Sequence, residues 1–184
     1  MTVSNLERIG KGLQILRGGL APYVLRELKS VYKERWWSGG VEKVLENAAG
    51  REALSAAGAP EERFKKLDIQ ALLAVMWENW NAVFKNELGH AGRSYVSELR
   101  EARNAWAHQQ PFSPQDAYRA LDTMTRLLEM AHGQGLEELQ ALSREMLRQR
   151  FEDETQRELK KSAALVSNGA AQGLKPWREI VTPH

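Results

Sequence analysis

The sequence predicts an all-α domain, and three observations support this prediction. Apolar residues recur at steps of three and four along most of the chain, which is the period of an amphipathic helix. No stretch of strict apolar/polar alternation, the pattern of a half-buried strand, is longer than a few residues. Glycine and proline stand between the periodic segments, where helices would end. With 184 residues, the chain is long enough for one domain with a sizeable core.

The first apolar stripe predicts two helices with a kink or a short break between them. Gly18, Gly19 and Pro22 interrupt the stripe, and a proline removes a helical hydrogen bond. The stripe consists of Leu6, Ile9, Leu13, Leu16, Leu20, Val24, Leu28 and Val31. The segment from 38 to 66 is rich in glycine, alanine and charged residues, which predicts a loop region with short helical pieces.

A central helix is predicted after Asp68, which stands at an N-cap position before a broad apolar face. That face consists of Ile69, Leu72, Leu73, Met76, Trp77, Trp80, Val83 and Phe84. Gly89 and Gly92 mark the turn into the next helix, which stops before Pro111. The buried stripe of that helix consists of Val96, Leu99, Ala102 and Trp106. For the tryptophans on these stripes, packing in the core is favoured over stacking on a base.

Two further helices are predicted to complete the domain. Ser113-Pro114-Gln115-Asp116 supplies an N-cap, a proline at the first helical position and an acid at the third, so a helix begins there. Gly133 and Gly135 end it, and a last helix runs from about Leu136 to Lys161. Residues 1–161 are therefore predicted to form the helical domain, and residues 162–184 a linker or the start of a following domain. The chain is expected to be a fragment of a longer protein.

Composition excludes several classes of function. The chain has no cysteine, so it has no disulfide, no thiolate metal site and no cysteine nucleophile. It has neither a His-Glu-x-x-His motif nor a phosphate-cradling glycine-rich loop, and we expect no metal and no cofactor. The net charge of +2 is nearly balanced, so any contact with RNA must come from a local cluster of cations. No apolar run is long enough to span a bilayer and no signal peptide is recognisable, which predicts a cytoplasmic protein.

The segment Arg103-Asn104-Ala105-Trp106-Ala107-His108, near the end of the predicted helix, carries the main chemical signal. An arginine can hold a phosphate by two hydrogen bonds, and an imidazole can move a proton near neutral pH, so the two can cleave RNA without a metal. At about 100° per residue, Asn104 and His108 share one face, whereas Arg103 and His108 diverge by about 140°.

Three explanations of this divergence remain open: the long arginine side chain bends around, the last turn is distorted, or the site is shared between two subunits of a dimer. A chance match is the alternative. His108 would then be only a cation that interacts with the helix dipole.

Long parts of the chain resemble the HEPN domain superfamily, and more closely its Swt-type branch, which also occurs in large prokaryotic anti-phage ATPases. They are RIGKGLQILRGGLAPYVLRELKSVY, the segment from LDIQALLAVMWENW through AHQQPFSPQDAYRALDTMTRLLE, and the charged helical stretch after it. The resemblance covers roughly residues 4 to 155. The hallmark of the family, an arginine, a polar residue and a histidine four to six positions after the arginine, maps onto Arg103, Asn104 and His108.

The resemblance implies an antiparallel helical bundle and a homodimer in which the two motif helices face each other. It implies a metal-independent endoribonuclease that leaves a 2′,3′-cyclic phosphate. His108 would serve as general acid or base, Arg103 would stabilise charge on the phosphoryl oxygens, and Asn104 would orient His108 or the phosphate. The domain would be the effector of an anti-phage or RNA-surveillance system, with a C-terminal ATPase region of the full-length chain as its partner.

Arg93 and Arg100 are candidates for RNA binding, because together with Arg103 they could line a phosphate track along the turn and the motif helix. Arg100 can equally be a solvated or salt-bridged side chain. The alternative to the whole catalytic interpretation is a non-catalytic HEPN module that mediates dimerisation or recognises RNA or a partner protein.

Overall fold

The computed structural model describes residues 4–47, 54 and 58–173, with side chains as far as Ala164. Within these ranges the backbone is helical and contains no strand, so the predicted all-α class is confirmed. None of the described helices combines the length and the apolar content that are needed to cross a membrane. The chain divides into two units, residues 1–146 and residues 147–184, and the helical bundle lies in the first.

The first apolar stripe folds as one helix, α1, from Asn5 to Tyr32. Ser4 and Glu7 begin it with a reciprocal capping box. The prediction of two helices is wrong, because the helix continues through Gly18, Gly19 and Pro22. Leu16, Leu20 and Val24 are fully buried on either side of these residues, and burying one continuous stripe outweighs the loss at the proline.

Three of the four glycines of α1, Gly10, Gly12 and Gly19, are places of close approach. A Cβ on Gly19 would stand 2.3 Å from the carbonyl oxygen of Gln134, and one on Gly10 would stand 2.9 Å from the indole nitrogen of Trp106. Neither position has room for a side chain unless a neighbour moves. Gly18, by contrast, faces open space.

The segment from 38 to 66, predicted as a loop region with short helical pieces, contains such pieces in its described part. A 3-10 turn at Lys33–Arg35 is followed by a π segment at Ser38–Glu42, by α2 at Lys43–Asn47 and by α3 at Pro60–Lys65. Residues 48–53 and 55–57 lie outside the described residues. Trp36 and Trp37 are both buried, and the ring of Trp36 packs edge to face against Phe64 at 5.8 Å.

Helix α4 runs from Ile69 to Glu78 and begins as predicted, because the Asp68 carboxylate accepts a hydrogen bond from the Ala71 N–H at 2.8 Å. A π segment at Trp80–Phe84 leads into α5, Lys85–Ala107. Gly89, with φ of 57°, interrupts α5 where the sequence predicts a turn. Gly92 is not part of that turn: it is buried inside the helix, against Leu88 and Trp80.

Helix α6, Pro114–Met130, begins as predicted at Ser113, whose hydroxyl accepts from the Asp116 N–H at 3.1 Å. Helix α7 runs from Leu136 to Gly173, beyond the expected end at Lys161, and residues 174–184 lie outside the described residues. Its first part closes the bundle, with Leu139, Leu142 and Met146 buried.

Four helices enclose the core: α1 packs against α6, α6 against α5, α5 against α4, and α4 against α1. Helices α4 and α5 run antiparallel. Asp68 at the start of α4 pairs with Arg103 near the end of α5, whereas Trp77 near the end of α4 contacts Arg93 near the start of α5. This pairing places every candidate site residue on α5 or beside it.

Candidate functional site on the motif helix

His108 forms the C-cap of α5, and its side chain is exposed. The N–H groups of Gln109 and Gln110 donate to the carbonyl oxygens of Trp106 and Ala105, both at 3.0 Å, which is the Schellman pattern. Gln109 adopts the left-handed conformation that this pattern requires, with φ of 52°. The helix therefore ends one residue before His108, and Pro111 comes three residues later.

Asn104 lies one turn before His108 and is also exposed. The His108 N–H donates to the Asn104 carbonyl oxygen at 3.1 Å. Within residues 58–173 no side-chain hydrogen bond joins the two residues, so the Asn104 amide does not orient His108 in this conformation. The alternative, that Asn104 orients the phosphate, stays a prediction. Both side chains are free to meet a ligand from solvent.

Arg103 points away from His108, towards the start of α4. Its Nη2 lies 3.4 Å from Asp68 Oδ2, a long contact for a charge-assisted hydrogen bond. The Arg103 side chain is only 18% exposed, whereas that of Asp68 is 59% exposed. The buried Nε of Arg103 has no hydrogen-bond partner. The guanidinium is thus held by one long contact to a solvated carboxylate, with one donor unused.

The structure does not bring Arg103 and His108 into contact within one chain. This outcome agrees with the divergence of about 140° expected for residues five apart on a helix. Asp68, which the sequence identifies only as an N-cap, is in addition the partner of Arg103. Sequence spacing could not reveal this second role, because it depends on how α4 and α5 pack.

Arg93 and Arg100 are brought together by a residue that the sequence assigns to the core. Their guanidinium carbons lie 4.8 and 5.2 Å from the ring centroid of Trp77, which is partly buried against the core. In the described part of the chain neither arginine forms a salt bridge with a carboxylate. Two cations are therefore held in place by an uncharged aromatic ring, which leaves their N–H groups available to an anion.

Arg93 and Arg100 lie on the same face of α5 as Asn104 and His108. Arg93, Arg100, Asn104 and His108 fall within an arc of about 80° at 100° per residue. Arg103 lies outside this arc, on the side that faces α4. The helix thus presents one face with two arginines, an amide and an imidazole. Among the described residues, no group of three or more His, Asp or Glu side chains could hold a metal ion.

The sequence profile of the Swt1-like HEPN family matches residues 11–132, more than half of the chain. The match extends from within α1 to the turn after α6, and it includes Arg103, Asn104 and His108. Comparison with curated proteins and comparison with solved structures each give no match. The helical bundle agrees with the family, and the chain therefore belongs to the Swt1-like HEPN family.

Proposed function

We propose that this chain is a metal-independent endoribonuclease domain with its site at the end of α5. Membership of a HEPN family suggests a nuclease or an RNA-binding module. The observation that carries the catalytic proposal is the exposed imidazole of His108 at a closed helix end, with the exposed Asn104 amide one turn before it. A general acid or base must be accessible to substrate, and His108 meets this requirement.

The reaction is the attack of an RNA 2′-hydroxyl on the adjacent phosphorus. The new P–O2′ bond forms and the P–O5′ bond breaks, which leaves a 2′,3′-cyclic phosphate and a 5′-hydroxyl. One proton leaves the 2′-oxygen and one reaches the departing 5′-oxygen, so a base and an acid are both needed. In a two-fold dimer with apposed motif helices, the two copies of His108 supply these two groups.

Arg103 stabilises the charge that builds on the phosphoryl oxygens. For this role it must exchange Asp68 for a phosphate. The exchange is supported by the 3.4 Å distance between the two groups, by the exposure of Asp68 and by the unused Nε donor. Nε is buried in this conformation, so the exchange requires the side chain to turn outwards. A phosphate can then accept from two nitrogens of the guanidinium, the paired geometry that arginine favours.

Arg93 and Arg100 bind the RNA backbone on the same face as His108. We further propose that the domain works as a homodimer, and as the effector of an anti-phage or RNA-surveillance system together with an ATPase region. The dimer is supported by the divergence of Arg103 and His108, since a second copy can complete a site that one helix leaves open. Sedimentation that finds only monomer at micromolar concentrations contradicts it.

The test is cleavage of single-stranded RNA in the presence of EDTA. We expect His108→Ala to abolish cleavage with little loss of thermal stability, because the side chain is exposed. The matched control is His132→Ala, which removes another exposed imidazole near a helix end, after α6, and should cleave as fast as wild type. If His108→Ala cleaves RNA at the same rate as wild type, the nuclease proposal is rejected.

A second candidate, a non-catalytic RNA-binding or dimerisation module, is favoured by the burial of Arg103 and its contact with Asp68. In that case Arg103 is a structural link between α4 and α5. Arg103→Ala then lowers stability, while wild type binds RNA and leaves it intact. Arg103→Lys helps to separate the two roles, since lysine keeps the charge but loses the forked donor geometry.

A further inference from the structure

A cavity of about 550 Å³ lies between the π segment Ser38–Glu42 and helices α4 and α5. Its volume falls within the range of about 300–1,000 Å³ that is typical of ligand sites. The cavity is lined by Tyr32, Gly39, Lys43, Val44, Ala74, Glu78, Asn79 and Arg100. Arg100 therefore belongs both to the arginine pair around Trp77 and to the wall of this cavity.

The wall of the cavity is held by a closed set of hydrogen bonds around the buried Asn79. Its amide nitrogen donates to the carbonyl oxygens of Gly40 at 2.7 Å and Val75 at 2.8 Å. Its amide oxygen accepts from the Tyr32 hydroxyl at 2.9 Å. The bond to Gly40 links the first π segment to Asn79, which directly precedes the second, and π turns inside helices occur frequently at functional sites. The cavity is thus preformed, and both amide hydrogens of Asn79 are already used, so the Asn79 amide cannot donate to a ligand.

Three charged side chains line the cavity, Lys43, Glu78 and Arg100, and they differ in what they can recognise. The Lys43 ammonium and the Arg100 guanidinium both suit an anion. Arg100 offers N–H donors suited to a phosphate, and Arg93 stands beside it on the Trp77 ring. Glu78 is exposed and offers only acceptors, two oxygens side by side. A ligand for this cavity therefore needs an anionic part at the arginines and a pair of adjacent donors at the carboxylate.

We propose that the cavity holds one unstacked guanine of single-stranded RNA, with the neighbouring phosphates on Arg93 and Arg100. Unpaired bases can be splayed out and read along their Watson–Crick edge. Guanine alone among the four RNA bases has two adjacent donors on that edge, N1–H and the N2 amino group, which match the Glu78 carboxylate. The inference rests on the RNA-binding face of the proposed function and adds a base preference to it.

The distance along α5 from Arg100 to His108 relates this cavity to the proposed cleavage site. Arg100 and His108 share one face and are separated by about 12 Å along the helix axis, at about 1.5 Å per residue. A strand that places its phosphates on Arg100 therefore reaches His108 within a few nucleotides. Guanine should then be preferred at one fixed short distance from the cleaved phosphate.

The test measures binding without cleavage, with the full chain carrying His108→Ala. The probes are short oligouridylates, either unmodified or with a single guanine at successive positions, followed by fluorescence anisotropy. We expect guanine at one position to tighten binding by about tenfold or more, the effect of one good bidentate base contact. Added Glu78→Gln should remove this preference, whereas the control Glu101→Gln, which changes an exposed acid on the α5–α6 groove, should keep it. Arg100→Ala, introduced into the same His108→Ala chain, should weaken the binding of all the oligomers.

Equal affinity for every oligomer, or a guanine preference that survives Glu78→Gln, overturns the inference. The outcome is independent of the nuclease proposal. If wild type fails to cleave RNA but the guanine preference is present and depends on Glu78, the nuclease proposal fails and the cavity remains a base-binding site. If wild type cleaves RNA but guanine brings no gain in affinity, only the present inference fails.

Discussion

Replacing Asp68 by serine separates the two roles of this side chain. One carboxylate oxygen caps α4 by accepting from Ala71 N–H at 2.8 Å, and the other lies 3.4 Å from Arg103. Serine is about as good an N-cap as aspartate, but it is too short to reach the guanidinium. Alanine loses both interactions. Asp68→Ser and Asp68→Ala therefore differ mainly in the cap, and both release Arg103.

The expected free energies follow from exposure. With Asp68 59% exposed, the ion pair belongs with solvent-exposed pairs, which contribute about 0.2–1 kcal/mol. Loss of the N-cap costs about 1 kcal/mol more. The free energy of unfolding of Asp68→Ser should thus lie within about 1 kcal/mol of the wild-type value. That of Asp68→Ala should be about 1 kcal/mol lower still. In a domain of this size, 1 kcal/mol corresponds to a Tm shift of about 2–4 °C.

The assay is thermal unfolding together with RNA cleavage. If Arg103 is a catalytic group held by Asp68, Asp68→Ser cleaves at least as fast as wild type, because the arginine no longer has to leave a carboxylate. The control is Asp122→Ser, which removes the partly exposed partner of the exposed Arg126 on α6 and should change neither property much. If Asp68→Ser is as unstable as Asp68→Ala and cleaves more slowly than wild type, the contact is structural and the reasoning is refuted.

Further outcomes follow from the fold. Gly18→Ala should stabilise the protein by about 0.5–1 kcal/mol in urea unfolding, because its Cβ meets open space inside a helix. Gly19→Ala should destabilise it, because a Cβ there stands 2.3 Å from a backbone oxygen. Gln109→Gly should raise the Tm, since a non-glycine residue at φ of 52° costs about 1 kcal/mol or more. Burial and a hydrogen bond to a carboxylate raise the pKa of Tyr23, so stability should fall as pH rises above about 10, where the unfolded tyrosine ionises first. Tyr23→Phe should flatten this fall in a series of denaturation midpoints.

Features that depend on a few neighbouring residues could be predicted from the sequence. Asp68 and Ser113 are N-caps as expected, because each cap is a contact within one turn of its own helix. The divergence of Arg103 and His108 follows from the helical period alone. The family resemblance, read from longer segments, agrees with the match to residues 11–132.

Features that depend on packing between helices were not predictable from local pattern. Gly18, Gly19 and Pro22 have the composition of a break, yet Gly19 lies where another segment approaches α1, and the helix continues. Trp77 lies on an apolar stripe, which predicts a core residue. Its contacts with Arg93 and Arg100 arise only when α4 lies antiparallel to α5. Without an arrangement of helices, no spacing in the sequence links these three residues.

The three arginines of α5 should differ in how they bind RNA, because they differ in what holds them. Arg93 and Arg100 pack against an uncharged ring and can bind phosphates without losing an ion pair, whereas Arg103 must first break its contact with Asp68. Removing one cation that binds a phosphate of a single strand lowers the slope of log K against log salt concentration by about 0.7. We therefore expect Arg93→Ala and Arg100→Ala each to reduce this slope by about that amount.

Arg103→Ala should instead act mainly on the cleavage step at saturating RNA. It should lower the rate of that step by about 10²–10³ if its removal resembles that of an oxyanion-hole donor. Titrations of oligouridylate binding over a range of salt concentrations, paired with single-turnover cleavage, measure both effects. If Arg103→Ala changes the slope as much as the other two while leaving the cleavage step intact, Arg103 is one more phosphate-binding residue and the catalytic division along α5 is wrong.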